Sequence, residues 1–117
     1  MPLESHEPRE QLSAKILDQK RAMASLIEEI EAVAWYNERA AVTTDEELKA
    51  VLIHNRDEEI EHAMMNLEWL RRNFPEFDDY MRTFLFTEKP ITEAEEGEHG
   101  GGDSGGSLNI GSLRKEK

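Results

Sequence analysis

Between Pro8 and Ala41 the chain has neither proline nor glycine, and apolar residues recur at a helical period: Leu12, Ile16, Met23, Leu26, Ile27, Ile30, Val33 and Ala34. This spacing predicts one helix over residues 8–41, about 50 Å long at 1.5 Å per residue. Pro8 fits its first turn, where a missing N–H costs little. Ala41-Val42-Thr43-Thr44 interrupts the pattern, and Thr44-Asp45-Glu46-Glu47 reads as a capping box, with Thr44 capping the N–H of Glu47. Asp45 and Glu46 then sit at the positive end of the helix dipole. A second helix is expected from about 45 to 73, with Arg71 and Arg72 in its last turn and Pro75 beyond it. A short third helix is expected between Pro75 and Phe86, carrying Phe77, Tyr80, Met81, Phe84 and Leu85 on one side, and Pro90 closes the body. The predicted class is all-α: two long antiparallel helices and a short C-terminal helix.

Two long helices cannot cover all of each other's apolar surface. The usual solution is a four-helix bundle, and one chain supplies half of it, so homodimerisation is expected to complete the fold. Charge narrows the partners. Against 14 Lys and Arg stand 26 Asp and Glu, a formal net charge of −12. Such a chain lacks the basic face that displaces counterions from nucleic acid, and it is repelled by anionic membrane surfaces. No cysteine is present, which excludes disulfides, thiolate metal sites and cysteine nucleophiles. No stretch has the ~18 apolar residues of a membrane span. Met1 to Glu7 has no apolar core of a secretory signal, so a cytoplasmic location is expected.

The character changes after the third helix. Residues 1–91 read as the helical domain and 92–106 as an acidic, glycine-rich flexible linker with Glu93, Glu95, Glu96, Glu98 and Asp103 and two glycine runs. Apolar residues return at Leu108, Ile110 and Leu113, with Gly111 between them, before Arg114-Lys115-Glu116-Lys117. An apolar motif beyond a linker reads as a docking peptide over 107–117; the plainer alternative is a frayed terminus.

The informative residues are acids placed among apolar ones. Glu29 falls between Leu26 and Val33 on the first helix, on its apolar stripe, and Tyr36 follows seven residues later on the same side. On the second helix the stripe that begins with Leu48 and Leu52 continues through Asn55, Glu59, His62 and Asn66 to Trp69. Glu59 and His62, at i and i+3, aim a carboxylate oxygen and an imidazole nitrogen at one point. Unpaired carboxylates on a buried stripe are costly and favour a cation. Glu-x-x-His joined by a Glu from another helix is the ligand pattern of di-iron carboxylate bundles; oxygen and imidazole suit iron or manganese, and zinc is chemically allowed. From the residues alone a second reading stands beside this one: a solvated acidic face with His62 as an ordinary helix residue. His54 and Glu58 read as a surface pair, and Trp35, Met23, Met64 and Met65 as packing.

The segments Ile27 to Tyr36, His54 to His62 and Leu67 to Arg72 strongly resemble the encapsulated ferritins, two-helix ferritin-like cargo proteins of encapsulin nanocompartments. The likeness runs on through Phe84 to Glu88, Pro90 to Thr92 and Glu95 to His99, and ends in Gly106 to Arg114, similar to the family's encapsulin-targeting peptide. The resemblance implies a ferroxidase that oxidises Fe(II) to Fe(III) with oxygen at a di-iron site between two subunits, two irons per subunit pair, storing iron inside an encapsulin shell. By position it puts the metal ligands on Glu29, Glu59 and His62 with Tyr36 beside them, and an outer or entry site on Glu28 and Glu31, near Trp35, where calcium is a second candidate ion. It implies a ring-shaped decamer of dimers, and a targeting role for Leu108, Ile110, Gly111 and Leu113. Two other readings remain: a non-catalytic helical assembly module bridged by Ca²⁺ or Zn²⁺, and a manganese or mixed-metal oxidase.

Overall fold

The computed structural model describes residues 3–94, and these are helical and irregular with no strand among them. The chain divides into two compact units, residues 1–73 and 74–117. The first holds a 3-10 turn at Arg9–Gln11, helix α1 at Ala14–Val42 and helix α2 at Glu46–Asn73. The second holds helix α3 at Pro75–Phe84 and a 3-10 turn at Ile91–Glu93.

Both long helices begin later than the apolar pattern suggests, because side chains, not periodicity, satisfy the first free N–H groups. Pro8 starts the separate 3-10 turn, Leu12 is extended, and the Ser13 hydroxyl accepts from the Ile16 N–H at 3.1 Å, so α1 starts at Ala14 and not at residue 8. The expected cap at Thr44 falls instead on Asp45, whose Oδ1 accepts from the Leu48 N–H at 2.8 Å. A carboxylate there gains from the dipole as well as the hydrogen bond.

Helices α1 and α2 pack antiparallel. At one end Lys15 Nζ donates to Asn73 Oδ1 (2.9 Å) and Gln19 Nε2 to the Asn73 carbonyl (2.8 Å), while Lys15 also lies over the Trp69 ring. Toward the connecting loop Arg56 Nη1 donates to Asn37 Oδ1 at 3.0 Å. As residue numbers rise on α1 they fall on the facing part of α2, which places Glu29 opposite the Glu59–His62 turn.

The hairpin buries little. Its fully covered side chains are Ala40, Ala63 and Leu70, while Met23, Leu26, Ile27 and Val33 are half-buried. Ile16, Ile30, Val51 and Ile60 stay exposed, as does Leu48 at the start of the second stripe. Trp35, Met64 and Met65, expected to pack, are about half exposed at 54%, 49% and 58%. These side chains leave apolar surface of the hairpin uncovered.

In the second unit Pro75 occupies the first turn of α3, and Phe74 and Phe77 meet edge-on at 5.1 Å. The helix stops two residues short of Phe86: Leu85 is extended and Phe86 takes φ 61°, a left-handed value uncommon for a side chain this large.

Candidate metal centre

The middle of the hairpin brings together Glu29 from α1 and Glu59 and His62 from α2. Each offers one donor atom, and these atoms lie within 4.8 Å of one another. Among the described residues this is the one group of three or more metal-ligating side chains so placed. The i, i+3 spacing on α2 stacks Glu59 and His62 on one face. The antiparallel register then sets Glu29 against both: His62 Nδ1 is 3.6 Å from Glu29 Oε1 and 3.5 Å from Glu59 Oε1. These separations are long for hydrogen bonds. They are close to those of ligands bound to a shared ion, which with bonds of about 2.1 Å stand up to about 4 Å apart.

The electrostatics point the same way. Each carboxylate is about three-quarters covered, with 25% of the Glu29 side chain and 26% of that of Glu59 accessible. The Glu29 carboxyl is pushed up from its ordinary 4.5, chiefly by a hydrogen bond shared with Glu59, then by burial and by the like charge of Glu59, while His62 pulls the other way. Two largely covered acids face each other with one imidazole to offset them. A divalent cation would remove the repulsion and take all three donors.

The other candidate residues lie outside this cluster. Glu28 and Glu31 are exposed on α1, on either side of Glu29 in sequence. Tyr36 is half-buried and its ring carries the Arg39 guanidinium at 5.4 Å. His54 pairs with Glu58 at 3.1 Å, as a surface pair should. Leu108, Ile110, Gly111 and Leu113 lie outside the described residues, as do the linker beyond residue 94 and the whole of 107–117.

Sequence reasoning missed one charge network. Glu68 accepts from Arg71 through Nε and Nη2, both at 2.8 Å, and from Arg72 Nε at 2.7 Å. These bonds hold its carboxyl down at about 2. The i+3 and i+4 spacing was the available signal, overshadowed by the fit of both arginines to the helix dipole.

A profile of the EncFtn-like family matches residues 4–88. A ferritin-like protein of Thermotoga maritima is 57% identical over 109 residues, covering 92% of this chain and 96% of that protein. An encapsulated ferritin-like protein of Rhodospirillum rubrum is 50% identical over 124 residues, covering 96% of this chain and 89% of that protein. A crystal structure of a protein from Nitrosomonas europaea superposes with a TM-score of 0.71 at 54% identity, over 74% of this chain and 96% of that one. With an all-helical hairpin, a carboxylate–histidine cluster at its centre and relatives of this closeness, the chain belongs to the EncFtn-like family.

Proposed function

We propose that the protein is a ferroxidase, taking Fe(II) as substrate and dioxygen as oxidant at a centre that two copies complete. The observation that carries this reading is the convergence of Glu29, Glu59 and His62 within 4.8 Å. Three donors from one chain leave an iron ion short of the roughly six it prefers. A second copy across a two-fold axis would supply three more, so that four carboxylates and two imidazoles serve two irons. The uncovered Ile30 and Ile60 near this cluster are what a hairpin awaiting such a mate leaves exposed.

In this scheme the residues do electrostatic work. Each ferrous ion gives one electron to oxygen and its charge rises from two to three. Glu29 and Glu59 offset the added charge, and His62 contributes a neutral donor that limits the negative surplus. Tyr36 stands beside the metals, and Glu28 and Glu31 attract the incoming cation from the exposed side of α1. Without metal the four clustered carboxylates repel, so divalent ions favour the assembled form by mass action. The assembly in this reading is a ring of dimers.

The name of the Rhodospirillum rubrum relative speaks of encapsulation. For this chain we place Leu108, Ile110, Gly111 and Leu113 in an encapsulin-docking peptide, tethered by residues 92–106, inside a cytoplasmic shell that stores the oxidised iron. Deleting 107–117 leaves Fe(II) oxidation intact, since no proposed ligand lies there, and abolishes co-purification with a co-expressed shell protein; undiminished co-purification refutes the docking.

The decisive experiment on activity is anaerobic loading with Fe(II) followed by oxygen. Ferroxidase activity gives oxygen uptake in step with the optical signal of Fe(III), well above that of Fe(II) in buffer. Tight metal binding with no acceleration would leave a metal-bridged assembly module instead.

A further inference from the structure

Met64 and Met65 are neighbours in sequence, line the same shallow groove of about 430 Å³ on α2, and are almost equally exposed, at 49% and 58%. They differ in their place relative to the metal centre. At about 100° per residue, Met65 stands about 60° around the helix from His62, at i+3, whereas Met64, at i+2, stands about 160° away. Helical side chains also lean toward the N-terminus, so the Met65 thioether covers the turn that carries His62. The chain has no cysteine, and Met23 and Met81 are half-buried. Of the softest reductants a protein carries, thiols are absent and one thioether borders the Glu29–Glu59–His62 cluster.

We infer that Met65 is a modification site, oxidised to the sulfoxide by hydrogen peroxide formed at the centre. Two Fe(II) ions reduce one dioxygen by two electrons, and with two protons this gives two Fe(III) and one hydrogen peroxide. The Met65 sulfur then takes one oxygen. The O–O bond breaks, an S–O bond forms, the sulfur loses two electrons, and the other oxygen leaves as water. No further reductant is needed. Thioethers undergo this oxidation, and sulfoxide reductases reverse it. The step requires the ferroxidase reading, because the centre supplies the peroxide.

Position, not exposure, selects Met65. Peroxide from bulk solution meets the two methionines alike, since their exposures differ little. Peroxide leaving the cluster passes the Met65 sulfur within one helical turn, about 5.4 Å of rise, before it is diluted. Oxidation of the thioether also takes up an oxidising equivalent to which the His62 imidazole, on the same turn, is otherwise open.

The test loads the full-length chain anaerobically with Fe(II) and admits oxygen, in repeated cycles, with catalase in solution to destroy escaped peroxide. Cleavage after Arg56 and Arg71 leaves both methionines in one peptide, Asp57 to Arg71, so fragment ions in mass spectrometry compare the two sulfoxides directly. The ratio of Met65 to Met64 sulfoxide is expected to be about fivefold or more above that of metal-free chain treated with hydrogen peroxide without catalase. The Glu59→Ala chain keeps both methionines and loses a proposed ligand, and under the same iron and oxygen its Met65 excess vanishes. Equal ratios in the two treatments, or an excess that survives Glu59→Ala, overturn the inference. Oxygen uptake and Fe(III) absorbance, recorded in the same cycles, keep the two readings apart. Uptake with Fe(III) formation but no Met65 excess overturns the modification alone, and absence of uptake overturns both.

Discussion

Glu59 and Glu68 sit nine residues apart on the same helix and have opposite electrostatic surroundings. Glu68 lies between two arginines that hold its carboxyl at about 2, and it is solvent-exposed and satisfied. Glu59 is largely covered, faces a second acid, and helps push the carboxyl of Glu29 up. The first arrangement is complete as the chain folds. The second costs free energy until something positive arrives. The contrast separates a structural ion pair from a candidate binding site more sharply than burial does, since neither glutamate is deeply buried. It also shows where an acidic chain concentrates its like-charge strain: in the middle of the hairpin, away from the arginines at the end of α2.

The hardest blow to the comparison is Glu59→Ala. If the mid-helix acid is a ligand, Fe(II) oxidation falls by more than about 100-fold, beyond the ~10–100-fold typical of residues that only orient ligands. Helix content by circular dichroism stays unchanged. A rate within a few-fold of the parent would make Glu59 no more functional than Glu68.

Glu29→Gln probes the strain itself. The folded chain binds the Glu29 proton more tightly than the unfolded chain does. Its contribution to stability is therefore present below the ordinary carboxylate range and lost as pH rises through the elevated value. At neutral pH the metal-free pair is a net cost. Removing one charge should raise the metal-free Tm by a few degrees, corresponding to about 0.5–1 kcal/mol, and weaken divalent metal binding in the same samples. A fall in Tm without metal would show that the acids stabilise the empty hairpin.

The smallest effect is expected at Glu68→Gln. A folded carboxyl held at about 2 contributes stability above the ordinary 4.5, and that contribution is lost as pH falls from there toward 2. The substitution should flatten acid unfolding across this window, and added salt should shrink the difference because the network is exposed. Fe(II) oxidation should not change. If acid unfolding of the variant follows that of the parent at low salt, the arginine network does nothing for the fold.

The sequence by itself determined the helix count, the break at Ala41 to Thr44 and the Glu-x-x-His turn, because these depend on periodicity and on residues three or four apart. It marked Glu29, Glu59 and His62 as misplaced on apolar stripes. Periodicity could not locate the ends of α1 and α2. Those were set by single hydrogen bonds from Ser13 and Asp45, where neighbouring Pro8 and Thr44 offered competing choices. Nor could it say which apolar residues are covered: Met64 and Met65 satisfy a helical period as well as Leu70 does, yet Leu70 is buried and the two methionines are about half exposed. Only the tertiary structure decided that Glu29 stands within reach of His62. The two are 33 positions apart, and their meeting depends on the antiparallel register fixed by Lys15, Gln19 and Asn73 at one end and Asn37 and Arg56 toward the other. A shift of one helical turn, about 5.4 Å, would keep every local pattern and separate Glu29 from Glu59 and His62, because contacts between distant residues follow from packing and not from spacing along the chain.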